Sequence, residues 1–446
     1  MLTSSRTTFI VKDTLHGVLT FEDSDARDKR EHVIRKIIDS APMQRLREIK
    51  QCAFVDLVYP GASHTRFVHS LGVAYIAGEL ARIMGLDRNT ILLAQITGLL
   101  HDIGSYPFVH IIEEQLIRQE EGGLPTHEEL AEQAICGSEI GACLEERGID
   151  PINIANYVRF MGKAEGGLIG SIVYCADKID STMRDALFAH VKVEVDPYLL
   201  HVFKAQGNRL VLRKKGIPAV CGLIRARFRL TQTVYRHHCV RSACCMLGYA
   251  IRTYEAEIGH DIALNRLPTM TDYELINTLL ARESTKTLIA ALKRRRLYKR
   301  LIEIFPHDFG VAATRLVPCF PSRRHVIDFE NQLIEELQTR VKNTDGLPPV
   351  LVDVTLAEAL RMPERLMHLE VETGQTLINE PTARRIIWAI RDAYAQVYNI
   401  RVYIHPDLYA NEEKKIQIRD VVISRLLEKL RVSEDSLKRI ADMILY

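Results

Sequence analysis

Apolar residues recur at three- and four-residue spacing along most of the first 300 positions, the period of helices with one face turned inward. In "HSLGVAYIAGELARIMGL" that set is Val73, Ile76, Ala77, Leu80, Ile83 and Met84. "NTILLAQITGLLHD" is apolar nearly all round, which predicts a central buried helix with Asp87 placed to cap its start. "GSIVYCADKIDSTMRDALF" predicts another helix, and "RARFRLTQTVYRHHCVRSACCMLGYAIRTYEAEI" reads as one long helix without internal proline. Two stretches predict β-hairpins instead. "TFIVKDTLHGVLTFED" turns near His16-Gly17, and "LLHVFKAQGNRLVLRKK" turns at Gln206-Gly207-Asn208. Past position 310 the texture changes: "LPPVLVDVTL", "LMHLEVETGQTLI" and "NIRVYIHPD" read as strands. The helices "DFENQLIEELQTRV" and "ARRIIWAIRDAYAQVY" separate them, and a helical segment over 411–445 ends the chain. The predicted fold is mainly α: a helical core with short hairpins over 1–300, then a smaller α+β C-terminal lobe over 301–446.

Composition narrows the setting. With 446 residues, 47% hydrophobic and 26% charged, the chain has the makeup of a globular protein with a sizeable core. No stretch approaches the roughly 20 uninterrupted apolar residues of a membrane helix, and "MLTSSRTTFIVKD" lacks the apolar centre of a signal peptide. Nine cysteines without a CxxC pair point to reduced thiols and a cytoplasmic protein. Lys+Arg 59 against Asp+Glu 57 gives no general pull toward nucleic acid or membrane. One basic run, "LKRRRLYKRL" (292–301), suits an effector phosphate, a neighbouring subunit or nucleic acid. A single tryptophan and few interleaved aromatics make a nucleic-acid groove the weakest of these.

Candidate chemistry gathers in "ITGLLHDIGSYPFVH". His101 and Asp102 stand where the central helix ends, as a satisfied core pair, a helix terminus or two ligands of one metal. His69 begins its helix with Val73 and Ile76 on the same face, so it points inward. Asp177 lies within the apolar-flanked "IVYCADKIDS". Two imidazoles and two carboxylates suit a divalent ion such as Mn, Fe, Mg or Zn and leave positions for water and a phosphate oxygen. A buried histidine bonded within the core is the competing reading. Arg66 is suited to bidentate phosphate contact, and Lys178 to the same charge. His110 and Glu113, three apart, and His127 in "PTHEEL", after the N-cap Thr126, are acid/base candidates that also fit surface or capping roles.

The ordered motifs "PGASHTRFVHSLGV", "LLHDIGSYPFVH", "THEE" and "DKIDSTMRD" follow "KDTLHGVLTF" and "IIDSAPMQRLREIKQ". Over residues 9–245 the chain resembles the HD-domain phosphohydrolases, in the branch of the deoxynucleoside triphosphate triphosphohydrolases. That resemblance implies His69, His101, Asp102 and Asp177 as metal ligands, His127 and Glu113 as a catalytic pair, and His110 against the scissile phosphate. It implies Gln51 and Asp185 at the sugar 3′-hydroxyl, with Arg66, Lys178, Tyr235, Arg236 and His237 around sugar, base and phosphates. It further implies a homo-oligomer and a nucleotide-activator site at Asp39, Gln44 and Arg47, residues that fit an ordinary solvated helix face equally well. Two departures stand out: Ser105 replaces a histidine that touches substrate phosphate in the family, and Ser181 replaces an aromatic that packs on the sugar. The implied activity is hydrolysis of a dNTP to deoxynucleoside and triphosphate. The alternatives are an HD enzyme on a mono- or diphosphate or cyclic dinucleotide, and a nucleotide-sensing protein with weak turnover.

Overall fold

The computed structural model describes residues 7–23, 32–117, 125–259, 263, 265–305, 319–341, 346–355, 364–395 and 399–430. Its centre is three helices: α3 (Arg66–Ile83), α4 (Arg88–Leu100) and α9 (Gly167–Phe188), each packed against the other two. α3 and α4 cross closely because a β-carbon on Gly98 would lie only 3.0 Å from the Ala74 Cα. Asp87 caps α4 by accepting from Thr90 N at 3.0 Å, as the sequence predicts. α1 (Val33–Asp39) and α2 (Ala41–Arg45) flank the trio on one side. α6 (His127–Gly137), α7 (Glu139–Glu146) and α8 (Pro151–Arg159) close over it, burying Ile96, Leu99 and Leu100. Both hairpins form antiparallel: β1 (Thr7–Asp13) with β2 (Gly17–Asp23), and β3 (Phe203–Gln206) with β4 (Arg209–Leu212). The fold is mainly α, with an α+β lobe, as predicted.

That lobe is a three-stranded antiparallel sheet in the order β5-β7-β6: β5 (Lys299–Ile304), β6 (Val350–Val354) and β7 (Ile400–Ile404). Every residue of β6 and β7 is buried, because α11 (His238–Ile258) covers one side and the helices Arg323–Arg340 and Glu412–Leu430 cover the other. The rest of the predicted 411–445 helix lies outside the described residues. Helices Asp272–Leu280 and Glu283–Lys293 pack against α11. Helix Pro381–Ala395 returns to the N-terminal part and buries Ala383, Ile387 and Ile390 with α9 and α10 (Ile217–Leu230). The basic run splits: it ends one helix, turns at Arg295 (φ 56°) and continues into β5.

Two predicted elements differ. The long helix over 225–258 is two helices, since α10 passes through a π-turn at Thr231–Tyr235 and α11 starts only at His238. Thr231, Thr233, Val234 and Tyr235 are weak helix formers. The His237 ring caps the new helix by accepting from Cys239 N at 3.3 Å. "LMHLEVETGQTLI" is not a strand of the sheet. It folds back at Gly374 (φ 81°) and makes one parallel bridge, Val371 to Leu212 at β4.

Candidate metal centre

His69 sits one turn into α3, and His101 caps the C-terminus of α4. His69 Nδ1 donates to Asp180 Oδ2 at 2.8 Å, and His101 Nδ1 donates to the Gly98 carbonyl at 2.8 Å. With both Nδ1 atoms engaged, each ring offers Nε2 as its ligand atom, the arrangement that orients metal-binding imidazoles. His69 Nε2 is 3.3 Å from Asp177 Oδ1, and the two rings meet edge-to-face at 5.1 Å. The ligand atoms of His69, His101 and Asp177 all lie within 4.8 Å of one another, and all three residues are buried. Asp102 stands beside them: its Oδ2 is 3.6 Å from His101 Nε2 and accepts from Arg66 Nη1 at 2.6 Å.

The charge balance suits a cation. Burial works against a charged His69, yet its hydrogen bonds to Asp177 and Asp180 outweigh that and raise the imidazole to about 9. A positive charge is therefore favoured where a metal would meet Nε2. Burial opposes ionisation of Asp102, but Arg66 and the two histidines hold it well below the carboxylate range. Lys178 Nζ donates to Asp177 Oδ2 at 2.6 Å, placing a second cation at the rim. The donor set of two imidazoles and adjacent carboxylates fits a divalent metal.

A second cluster adjoins the first. His127 Nδ1 donates to Glu113 Oε1 at 2.6 Å, and His110 Nδ1 lies 4.0 Å from Glu113 Oε2. His127 opens α6 behind a complete capping box, Thr126 with Glu129. His110 lies in α5 (Val109–Ile112), which follows Phe108 in a left-handed conformation (φ 45°), and Glu113 begins a π-turn over Glu113–Ile117. Burial lowers His127, but Glu113 and Glu128 outweigh it and raise the imidazole. Burial raises Glu113, but His127, His110 and Arg66 bring it below its ordinary value. The charge of Asp102 also reaches His127 and adds to its rise.

Asp185 accepts from His64 Nε2 at 2.8 Å and from the Tyr235 hydroxyl, with Cys52 beside it. Gln51, the residue before Cys52, keeps a buried Oε1 without a partner among the described residues. Ser105 is 1% exposed with its Oγ unpartnered, and Ser181 Oγ accepts from Arg227 Nη1 at 2.9 Å. Arg236 lies toward the C-terminal sheet, among Arg241, Asp353 and Glu114, and burial lowers it to about 10. His237 stacks on His238 and meets the Tyr59 ring. Asp39 faces Arg35, and Arg47 donates to Gln44 Oε1 at 2.7 Å while covering the Phe67 ring.

The sequence reading missed several supports. Asp180, on the same face of α9 as Asp177, accepts from His69, from His16 Nε2 at 2.7 Å and from Arg184 Nε at 2.8 Å. The i, i+3 spacing in "DKID" was the available signal. Asp272 accepts from Lys50 N at 2.9 Å and Phe108 N at 2.8 Å. No local pattern announces it.

The HD domain family model matches residues 66–182, and the HD associated region model matches residues 197–422, half of the chain. The chain belongs to the HD-domain family. A further relative of this HD-domain protein, the uncharacterized protein MJ1154 of Methanocaldococcus jannaschii, is 27% identical over 434 residues, 96% of this chain and 85% of that one. The human deoxynucleoside triphosphate triphosphohydrolase SAMHD1 is 34% identical over 154 residues, covering 32% of this chain and only 23% of that enzyme. The crystal structure of a hypothetical protein from Aquifex aeolicus superposes over 92% of this HD-domain chain and 100% of its own, with a TM-score of 0.66 at 21% identity. That last likeness concerns the fold. Among the described residues no helix is long and apolar enough to cross a membrane.

Proposed function

We propose that this protein is a metal-dependent nucleotide phosphohydrolase that cleaves dNTPs to deoxynucleoside and triphosphate. The observation that carries the reading is the Glu113–His127 pair, bonded at 2.6 Å, on the same chain segment and α6 start that follow His101-Asp102, with the Asp102 charge reaching His127. His69, His101 and Asp177, with Asp102 beside them, would hold a divalent ion, which supplies Lewis-acid polarisation of a phosphate oxygen. Arg66 and Lys178 bring cationic charge to the same rim and neutralise phosphate oxygens as charge redistributes. With its Nδ1 proton on Glu113, His127 exchanges its second proton at Nε2 and serves as the acid for the leaving oxygen. Asp185, held by His64 and Tyr235, presents a carboxylate suited to accept a sugar hydroxyl. The similarity to SAMHD1 through the HD motifs supports dNTPs as the substrate class. The assembly in this reading is a homo-oligomer, with Asp39, Gln44 and Arg47 as an activator site.

The test is product analysis. The protein is supplied with Mn or Mg and offered dNTPs, NTPs, monophosphates and cyclic dinucleotides, singly and in pairs. Release of inorganic triphosphate is expected; orthophosphate alone would overturn the reading, and no turnover on any mixture would favour a sensor. His101→Ala is expected to lose both bound metal, measured by elemental analysis, and turnover.

A further inference from the structure

The segment from Ser105 to Ile117 carries His110 and Glu113 through two irregularities, the left-handed Phe108 and the π-turn Glu113–Ile117. Such backbone persists only where its surroundings over-determine it. Its first half is tied to the helical core. Arg45 Nη2 donates to the Ser105 carbonyl at 2.6 Å, and Asp272 holds Phe108 N. Its second half is tied elsewhere. Glu114 Oε2 accepts from Arg241 Nη2 at 3.2 Å on α11 and from Arg323 Nη2 at 3.1 Å on helix Arg323–Arg340. The next side chain, Gln115, accepts from Arg252 Nη1, and Arg252 also pairs with Glu330. Glu330 lies seven residues after Arg323 on that helix and accepts from Val352 N of β6 at 2.7 Å. Gly248 on α11 leaves the room: a β-carbon there would stand 3.0 Å from the Gln115 Cδ.

We propose that Glu114 is a positioning residue for the Glu113–His127 pair, held by Arg323 and Arg241 so that the C-terminal lobe completes the acid/base site. This rests on the functional reading above for what the pair does, and on the contacts alone for how it is held. Among the described residues no hydrogen bond or ion pair joins Glu114 to His127 or to the metal cluster; its partners are Arg241 and Arg323. It acts by fixing the π-turn that aims its neighbour Glu113, because adjacent residues on a one-turn element cannot shift independently. Arg241 and Arg323 keep Glu114 ionised against its burial, at about 2, so the tether stays charged across the pH range in which His127 titrates. The lobe therefore has a task beyond stability: its docked helix sets the geometry of a proton-transferring group about 200 residues upstream, the sequence separation of the Arg323–Glu114 bond being 209.

The experiment uses the full chain labelled at histidine Cε1, with the His127 resonance assigned by its loss in His127→Ala. In wild type His127 is expected to titrate above an ordinary imidazole. Arg323→Met and Glu114→Gln are each expected to bring that midpoint back toward the ordinary value, while Mn binding, measured by calorimetry, is unchanged. Arg323→Lys is expected to restore the midpoint partly. On whichever nucleotide the wild type cleaves, both broken variants are expected to lose about tenfold or more in kcat with KM nearly unchanged. Identical His127 titrations in wild type, Arg323→Met and Glu114→Gln would overturn the proposal. If Arg323→Met does not fold, Glu114→Gln, which keeps size but gives up the charge that holds both arginines, decides alone. Absence of turnover in wild type refutes the substrate reading and leaves the His127 titration as the judge of the tether.

Discussion

Gly104 follows His101-Asp102-Ile103 directly, and a β-carbon there would stand 2.2 Å from the His127 carbonyl oxygen and 2.3 Å from Ala131 N. Both are backbone atoms of the α6 N-terminus, so no side chain can rotate aside. Gly104→Ala is expected to push α6 outward, cost on the order of 1–3 kcal/mol as overpacking does and part His127 from Glu113. Thermal denaturation together with the His127 titration checks both effects. The pair itself sets a pH window. His127 is raised in the folded protein, so its share of stability is complete below the unperturbed imidazole value, roughly 6.5, and is lost as pH rises through the raised value. Glu113 is lowered, so its share is present above its ordinary value and lost as pH falls. The melting-temperature gap between wild type and Glu113→Gln is expected to be widest between those limits and to close on either side. A gap that ignores pH would refute the ion pair.

Among elements, α6 shows how local rules serve the site. Its capping box is complete, with Glu129 N donating to Thr126 Oγ1 at 3.2 Å and Thr126 N donating to Glu129 Oε2 at 2.8 Å. Thr126→Ala is expected to cost about 1 kcal/mol, measured by urea titration, and to loosen the first residue of the helix, His127. This element was legible because a cap and its partner lie three positions apart. α3, α4 and α9 were legible for a similar reason: helical period alone places His69 inward and ends a helix at His101-Asp102. The break at 231–237 was not. Nothing in "TQTVYRHH" forbids a helix; Tyr235 leaves the helical path where its hydroxyl meets Asp185, 50 positions earlier. The stretch around Val371 was misread for the converse reason, since its extended partner is β4 and the turn at Gly374 cuts it short.

At the scale of the whole molecule, the C-terminal sheet is locked to the helical core by a buried charge. Asp353, the penultimate residue of β6 and 0% exposed, accepts from Arg241 Nη2 at 2.7 Å and Nε at 3.1 Å. Removing Arg241 leaves buried Asp353 with only the longer contact to Arg401 Nη1, at 3.7 Å, among its described ion pairs. Arg241→Met is expected to destabilise the protein by ~3–5 kcal/mol, and adding Asp353→Leu should recover part of that loss. Urea midpoints of the two variants decide it, and strict additivity would show that the pair is not coupled.

The sequence by itself determined the helical class, both hairpins, the capped helix ends and the residue types of a candidate metal and acid/base site. Each depends on neighbours within one or two turns, where hydrophobic period and hydrogen-bonding distance are properties of the chain. Tertiary structure alone decided which side chains hold those residues in place. Asp180 and His16 behind His69, Asp272 behind Phe108 and Arg323 behind Glu114 join positions up to 209 apart. A buried carboxylate is stable only where folding brings donors to it, and which donors arrive depends on the packing of whole helices and the sheet.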